Sequence, residues 1–409
     1  MASIILSASV RQNLLSLQST ADLLSTTQNR LATGKKVNSA LDNPTNFFTA
    51  AGLDNRASDI NNLLDGIGNG VQVLQAANTG ITSLQKLVDT AKSIANQVLQ
   101  APTGYSVKAS ATTAAPTGAG PLGVAGTAAD LTNAGTNSLQ GKTFVFTPAT
   151  GAATTLTISN VAGAGNVNSI DAFNTALSAA GIGLTASLAS NGSVTFTSTA
   201  NNASQTLTLG TTAAANTVAL SGTGTFALVG TGTPTADPAS QAIRSSLVSQ
   251  YNNIITQITT TAQDSSFNGI NLLNGDNLNL TFNETGKSTL NITGVTYNAA
   301  GLGLVSLTAG TDFLDNSSAN KALVALGAAS TTLRTEASVL GSNLSVVQLR
   351  QDFSKNLINV LRTGSSNLTL ADTNEEAANS QALSTRQSIA VSALALANQS
   401  QQSVLQLLR

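Results

Sequence analysis

The sequence predicts an α+β multidomain protein: terminal α-helical coiled-coil domains with a β-rich domain inserted between them. Three observations predict it. Apolar residues recur at coiled-coil spacing at both ends of the chain. Residues 105–238 are rich in Ala, Gly and Thr, hold five charges (Lys108, Asp130, Lys142, Asp171 and Asp237) and contain runs that alternate at strand period. The Leu-, Asn-, Gln- and Ser-rich style of residues 1–100 returns after 239.

The elements follow in order. The first 33 residues read as one helix, because Val10, Leu14, Leu17, Ala21, Leu24, Gln28 and Leu31 step by four and three. Ile4, Ile5 and Leu6 lie outside that seam and give the helix a second apolar face. Gly34 suits the residue just past a helix end. Asn43 and Pro44 suit an N-cap and first helical position. Gly66, Gly68, Gly70 and Gly80 then argue for a break, each costing up to ~1 kcal/mol in a helix. The apolar stripe argues against one. Ile67, Val71, Leu74, Ala77, Ile81, Leu84, Val88, Ala91, Ala95 and Val98 hold phase through the glycines, which predicts one continuous helix over 44–100. Such a helix is marginal alone and needs partners along its length.

Candidate partners lie beyond the insert. Ile243, Leu247, Tyr251, Ile254 and Ile258 form a short stripe. Leu326, Leu333, Ala337, Leu340, Leu344, Val347, Ile358 and Leu361 form a longer one. At the C-terminus Leu383, Ala390, Ala397 and Val404 mark one heptad position, and Gln387, Leu394, Gln401 and Leu408 the other. Ile389, Ala393 and Leu396 add a second face, so that helix must be covered on two sides. In the insert Phe144 and Phe146, Leu156 and Ile158, Val194 and Phe196, and Leu207 and Leu209 alternate as in strands. Asn191-Gly192 predicts a type I′ hairpin turn, and 169–180 a short helix. One or two further hairpins are expected within 277–308, broken near 283–286 and 293–294.

Composition narrows the chemistry. A chain of 409 residues suggests two to four domains. Without Cys or His it lacks thiol nucleophiles, Ser–His–Asp triads, disulfides and the usual ligands of zinc and haem. Lys and Arg number 18 against 19 Asp and Glu, so no electrostatic footprint for nucleic acid exists. Charged residues are 9% of the chain, against roughly 25% in ordinary soluble proteins, so little repulsion opposes self-contact. Aromatics are 3%, so any association should spread over large aliphatic areas. The first residues lack the basic region of a secretory signal. Residues 387–408 carry no charge, but ten of those 22 are Gln, Asn or Ser, which argues against a membrane span.

Motif matches are weak. GAGPLG over 118–123 fits a Gly-rich phosphate loop by spacing but lacks a strand–helix context. Asp312, Asp315 and Asn316 could contact a cation, but no closing Glu follows at calcium-loop spacing. Asp372, Glu375 and Glu376 read as a solvated first helical turn that suits the dipole. No carboxylate pair has a partner base. The expectation is therefore no catalytic residue, no cofactor and no metal.

Several segments resemble one family. Residues 14–20 (LLSLQST), 28–34 (QNRLATG) and 37–42 (VNSALD) look like the flagellin N-terminal signature. Residues 390–409 are similar to the flagellin C-terminus, and 266–273 (SFNGINLL) to the segment after the second core helix. The insert enters before the 240–261 stripe, whereas in many flagellins it follows that helix. The resemblance implies an inner-core helix and connector at 1–43, a long core helix at 44–104, and a variable outer β-rich domain at 105–238. It implies a core helix plus β-hairpins at 239–316, a long core helix at 317–364 and a C-terminal inner-core helix at 365–409. It also implies a secreted structural subunit, not an enzyme, that polymerises into the extracellular flagellar filament. The implied partners are further copies of itself, an export chaperone, the filament cap and hook-associated junction proteins, with no nucleic acid and no membrane span. The expected assembly interface is Val10, Leu14, Leu17, Leu24, Leu31, Leu383, Ala390, Leu394, Ala397, Val404 and Leu408. The alternatives are a hook–filament junction protein, a surface adhesin using 105–238, and an enzyme housed there.

Overall fold

The structure, a computed structural model, describes residues 8–114, 130–132, 139–147, 152–210, 217–221, 228–229 and 231–407. The glycine-rich match at 118–123 and Ile4, Ile5 and Leu6 lie outside the described residues. The helices are α1 (Ala8–Thr33), α2 (Pro44–Gln100), α3 (Ile170–Ala179), α4 (Pro238–Asp264), α5 (Asn316–Thr369) and α6 (Thr373–Leu407). Between α2 and α4 lie β1 (Tyr105–Val107), β2 (Ser110–Thr113), β3 (Thr143–Thr147), β4 (Thr154–Ile158), β5 (Asn166–Val167) and β6 (Leu184–Leu188). They are followed by β7 (Val194–Ser198), β8 (Leu207–Gly210), β9 (Thr217–Ser221), β10 (Leu228–Val229), β11 (Thr231–Gly232) and β12 (Thr235–Ala236). The strands β13 (Leu278–Thr281) and β14 (Thr289–Ile292) form the single hairpin between α4 and α5 among the described residues. The fold is therefore α+β, with helical ends and a strand-rich middle.

Helix α2 runs 57 residues without a break. All ten stripe residues from Ile67 to Val98 are buried, so burial of one face outweighs the propensity cost of the glycines. Two of those glycines are where other elements come close. A Cβ on Gly70 would lie 2.5 Å from Leu280 Cδ2 in the hairpin. A Cβ on Gly80 would run into Ser265 Oγ and lie 2.7 Å from Leu273 Cδ1. Gly66 has open space beside it.

Two compact units divide the chain. The first takes the chain up to Gln72, the hairpin from Leu278 to Ile292, and everything from Asn343 onward. Here α2 and α5 share a core of Ala57, Ile60, Ile358 and Leu361, with Leu53, Leu64 and Leu357 against it. Ser365 Oγ donates to Asp54 Oδ2 across the pair at 2.7 Å. α5 continues to Thr369 and the chain breaks at 370–372 before α6. The cause is a backbone clamp. Thr369 C=O accepts from Lys36 N (2.7 Å) and Val37 N (3.3 Å), while Ala371 N donates to Gly34 C=O (3.0 Å). Gly34 sits at φ +68°, the left-handed helix end expected of it.

The second unit comprises Val73–Asn277 and Thr293–Ser342. Among the described residues its insert holds the two-stranded pair β1-β12 and two larger sheets, of strand order β10-β2-β7-β6 and β11-β8-β9-β3-β4-β5. Phe144 and Phe146 from β3 meet Phe196 from β7 and Phe173 from α3, mostly edge to face, at centroid separations of 5.3–6.0 Å. Four of the chain's 11 phenylalanines thus meet in one small core. Ser169 caps α3, accepting from Ala172 N at 3.1 Å. The type I′ expectation at Asn191-Gly192 is not met. Gly192 has φ +81° but Asn191 does not share a positive φ. Ala189 N to Ser193 C=O and Gly192 N to Ala189 C=O close a three-residue loop instead, and Asn191 Oδ1 is taken by Ser193 N and Oγ. The tight turn with two positive φ values is at Asn268 (+49°) and Gly269 (+79°), between Phe267 and Ile270.

The buried face of α4 is Ser240, Arg244, Leu247, Val248, Tyr251, Ile255, Ile258 and Ala262. Leu247, Tyr251 and Ile258 of the expected stripe are buried, but Arg244 and Ile255 take the buried places beside Ile243, which is half-exposed, and Ile254, which is partly covered. The reason is Arg244, which is fully buried. Its guanidinium donates to the carbonyls of Pro102 (2.6 Å), Phe313 (2.6 Å), Val98 (3.0 Å) and Ala101 (2.8 Å), and to Asn316 Oδ1 (3.1 Å). Burial lowers its pKa and the Asp315 carboxylate nearby pulls it back up.

Two stability predictions follow from these contacts. Gly66→Ala should raise the thermal midpoint of the monomer, gaining about 1 kcal/mol of helix propensity, while Gly80→Ala should lower it by roughly 1–3 kcal/mol through overpacking. Arg244→Met should cost about 3 kcal/mol or more, because buried carbonyls lose a charged donor, measured by denaturant unfolding.

Candidate assembly surface

The surface is built from the two helices that end the described chain. α1 packs along α6 in antiparallel sense, fixed by the connector clamp and by Arg30 Nη1, which lies 3.3 Å from Glu376 Oε1. On α6 the covered positions are Glu376, Ser380, Leu383, Gln387, Ala390, Leu394 and Ala397, in strict steps of four and three. On α1 they are Val10, Asn13, Leu17, Thr20, Ala21, Leu24, Thr27 and Arg30.

The expected interface residues therefore divide. Val10 is buried, and Leu17, Leu24, Leu383, Ala390, Leu394 and Ala397 are half-buried in the seam between the chain's own two helices. Leu14 and Leu31 lie at the flank of this seam, 37% and 38% exposed. The seam steps from Leu24 to Thr27 and Arg30, and Arg30 meets Glu376 in the first turn of α6. Val404 lies on α6 beyond the part where side chains are described, and Leu408 lies outside the described residues. The acidic first turn of α6 is only partly solvated. Asp372 Oδ1 accepts from Asn374 N (2.9 Å) and Glu375 N (3.3 Å) as an N-cap, while Glu376 is buried against Arg30.

A second set of apolar side chains has no cover from its own chain. Leu15 (67%) and Leu23 (54%) stand out from α1, and Ile389 (63%), Val391 (51%) and Leu396 (68%) from α6. Ile389 and Leu396 are seven residues apart, one face of one helix. On α5 Val346, Leu349, Phe353 and Val360 make another exposed stripe. Sequence reading identified the second face of α6 but missed that of α5, whose signal was Val346, Phe353 and Val360 at steps of seven.

Among the described residues no group of three or more His, Cys, Asp or Glu could hold an ion. Asp312 Oδ2 accepts from Thr308 N (2.7 Å), Asp315 from Ser204 Oγ (2.6 Å) and Ser317 N (3.0 Å), and Asn316 from Arg244. Their oxygens serve as caps and braces. Tyr251 is held neutral by burial, its pKa pushed up to about 12, and Tyr297 is raised by burial and by its 2.9 Å bond to Glu336. Among the described residues no helix is long and apolar enough to cross a membrane.

The bacterial flagellin N-terminal helical region matches residues 5–117, and the bacterial flagellin C-terminal helical region matches 323–408. These ranges contain α1 and α2, and most of α5 and α6. Similar proteins include flagellin FljM of Caulobacter vibrioides, 33% identical over 165 residues, covering 40% of this chain and 59% of that one. Flagellin FljK of the same organism is 32% identical over 168 residues, with 40% and 59% covered. Flagellin A of Rhizobium meliloti is 39% identical over 82 residues, 20% of this chain and 21% of that one. The chain thus spans about three fifths of the length of the first of these relatives.

The connector between α1 and α2 offers a pH test. The Asp42 carboxylate accepts from Ser39 N (2.8 Å), Asn38 N (3.0 Å) and Ser39 Oγ (3.2 Å). The backbone bonds from Ser39 and Asn38 hold its pKa below 3.8. A carboxylate depressed in the folded state stabilises above its unfolded pKa and loses that effect as pH falls through the folded value. Protection of the Asn38 and Ser39 amides against hydrogen exchange should persist at neutral pH and fade as the pH drops below 3.8.

Proposed function

The chain belongs to the bacterial flagellin family, and we propose that it is a structural subunit that self-assembles through its terminal helices into the flagellar filament used for swimming. The observation that carries this is the uncovered face of the α1–α6 pair. A helix pair with one face closed by its own chain and Leu15, Leu23, Ile389 and Leu396 left in water is incomplete as a monomer. Further copies supply the missing cover. The contact is heterologous and does not close, so it propagates into an open tube.

In that filament the terminal segments 1–43 and 365–409 form the inner core. The long helices and the hairpin form the next shell, and 105–238 faces outward. The polymer is extracellular, reached through the flagellar type III export apparatus. An export chaperone that covers the uncharged end of α6 keeps it from associating early. The filament cap and the hook-associated junction proteins are the remaining partners. The flagellins among its relatives favour this reading over a junction protein.

Seeded polymerisation of purified monomer, imaged by negative stain, tests it. Wild-type chain should give long filaments. Leu396→Asp should abolish them while circular dichroism of the monomer stays unchanged, since Leu396 is outside the α1–α6 seam. Leu394→Asp, within the seam, should lose both assembly and helix content. Filaments of normal length from Leu396→Asp would overturn the proposal.

A further inference from the structure

We propose that the pocket where α2, α5 and the β13–β14 hairpin meet binds a small apolar monocarboxylic acid, its carboxylate held by Arg350 and Ser354. The site uses no residue of the α1–α6 pair, so it stands or falls apart from the filament reading.

The pocket lies wholly within the first unit and encloses about 240 Å³. Ile60 from α2, Phe282 from the hairpin, and Phe353 and Leu357 from α5 give it an apolar surface. Its volume is below the roughly 300–1,000 Å³ of sites for drug-sized ligands. At the ~30 Å³ that a water occupies in the liquid, it has room for about eight such particles. A six-carbon acid is of that size.

Two polar groups in its wall are left without a counterpart. Ser354 is 2% exposed and lines the pocket. Among the described residues its hydroxyl makes no hydrogen bond. That is out of character for this helix. Thr331, Thr332 and Thr335 of α5 each donate to the carbonyl four residues back, at 3.1 Å. A buried hydroxyl without a partner is costly unless the cavity beside it supplies one. Arg350 is the second group, one turn before Ser354 on the same face of α5. Its guanidinium lies over the Phe282 ring at 5.7 Å, a contact that uses no carboxylate. Among the described residues it makes no ion pair.

The other charges around the pocket are accounted for. Glu284 is held by Arg56, with 2.7 Å between Oε1 and Nε. Asp352 Oδ1 lies 3.7 Å from Lys355 Nζ. Asp59 and Lys287, the nearest further charges on α2 and the hairpin, do not line the pocket. One surplus cation, one free buried hydroxyl and an apolar floor are complementary to a ligand with one negative charge and a short apolar body. A guanidinium takes a carboxylate through two parallel bonds. Inorganic phosphate would bring a second charge with no second free cation and would leave the floor unused. An amine would meet the like charge of Arg350.

Saturation-transfer NMR on the purified full chain, with hexanoate and benzoate as probes, tests the site. At least one of the two acids should bind saturably, with Kd of about 0.1–1 mM. Hexylamine should not bind. Arg350→Gln should weaken acid binding at least tenfold, and Ser354→Ala roughly three- to tenfold. Lys355→Gln, which removes a cation of α5 outside the pocket, should leave binding unchanged. Arg350 is exposed and unpaired, so Arg350→Gln should unfold at the wild-type temperature, and its loss of binding then reads the site and not the fold. No saturable signal from either acid, equal binding of hexylamine, or acid binding indifferent to Arg350→Gln would overturn the proposal. Acid bound by the monomer but excluded from seeded filaments would mean that a neighbouring copy fills the pocket, and would overturn its assignment to a small acid.

Discussion

Four carbonyls and one amide oxygen converge on the Arg244 guanidinium, and the order of the second unit depends on that convergence. α2 ends at Gln100, and the last carbonyls of any helix have no partner within it. At an exposed end water would serve. Here Val98 is buried, and the strand-rich insertion begins at Tyr105, five residues after the helix ends. Arg244 reaches from α4 to Val98, Ala101 and Pro102 on one side and to Phe313 and Asn316, at the start of α5, on the other. A planar group with five donors can satisfy such a set and a lysine cannot. The root of the insert is closed by the same logic. Gly104 N donates to Leu314 C=O, Asp237 N donates to Gly104 C=O, and β1 pairs with β12. A Cβ at Gly104 would lie 3.0 Å from Gln241 Cγ, so the stalk runs close to α4 at a position without a side chain.

The two kinds of core in this chain solve different problems. The insert concentrates four phenylalanines and a ring of aliphatic residues around them, enough apolar surface to close on itself. The helices instead spread Ala, Val, Leu and Ile along great length, with Gly70 and Gly80 where another element must come near. Such stripes bury well only when every turn has a neighbour. Where α2 is fully buried it is finished. Where α1, α5 and α6 show a second stripe it is not, and low charge leaves those stripes without electrostatic protection from contact.

Periodicity made much of this legible. The α2 stripe is read through four glycines because phase is a property of the whole helix, whereas propensity is summed residue by residue. The short helix after Ser169 and the paired strands around Phe144 and Phe196 were equally visible, since N-cap chemistry and alternation are local. The phase of α1 was less so: Thr27 is buried where the heptad pointed to Gln28, against a helix more than 300 residues away in sequence, and no local pattern encodes that. Arg244 was hidden for a related reason. It occupies a core position in step with Ser240, Leu247 and Tyr251, but an arginine on an amphipathic helix ordinarily reads as solvated face. Asn191-Gly192 carried the right dipeptide for a tight turn, and the side-chain bonds of Asn191 to Ser193 selected a longer loop.

The polar residues within the α1–α6 seam bear on why the ends should be completed by other copies. Asn13, Thr20, Thr27 and Gln387 face the partner helix at positions where a self-sufficient coiled coil would place Leu or Ile. Polar groups there fix register at a cost in stability. The Arg30–Glu376 pair adds little, since Arg30 is more than a third exposed. Most seam positions are only half-covered, so two helices alone recover a fraction of the burial their sequences make available. On the filament reading that deficit has a use. A pair that is fully stable by itself gains nothing from neighbours, whereas one left short is stabilised by each added copy through mass action. Order at the ends of the chain and growth of the polymer then become one equilibrium, and the weak seam is the term that couples them.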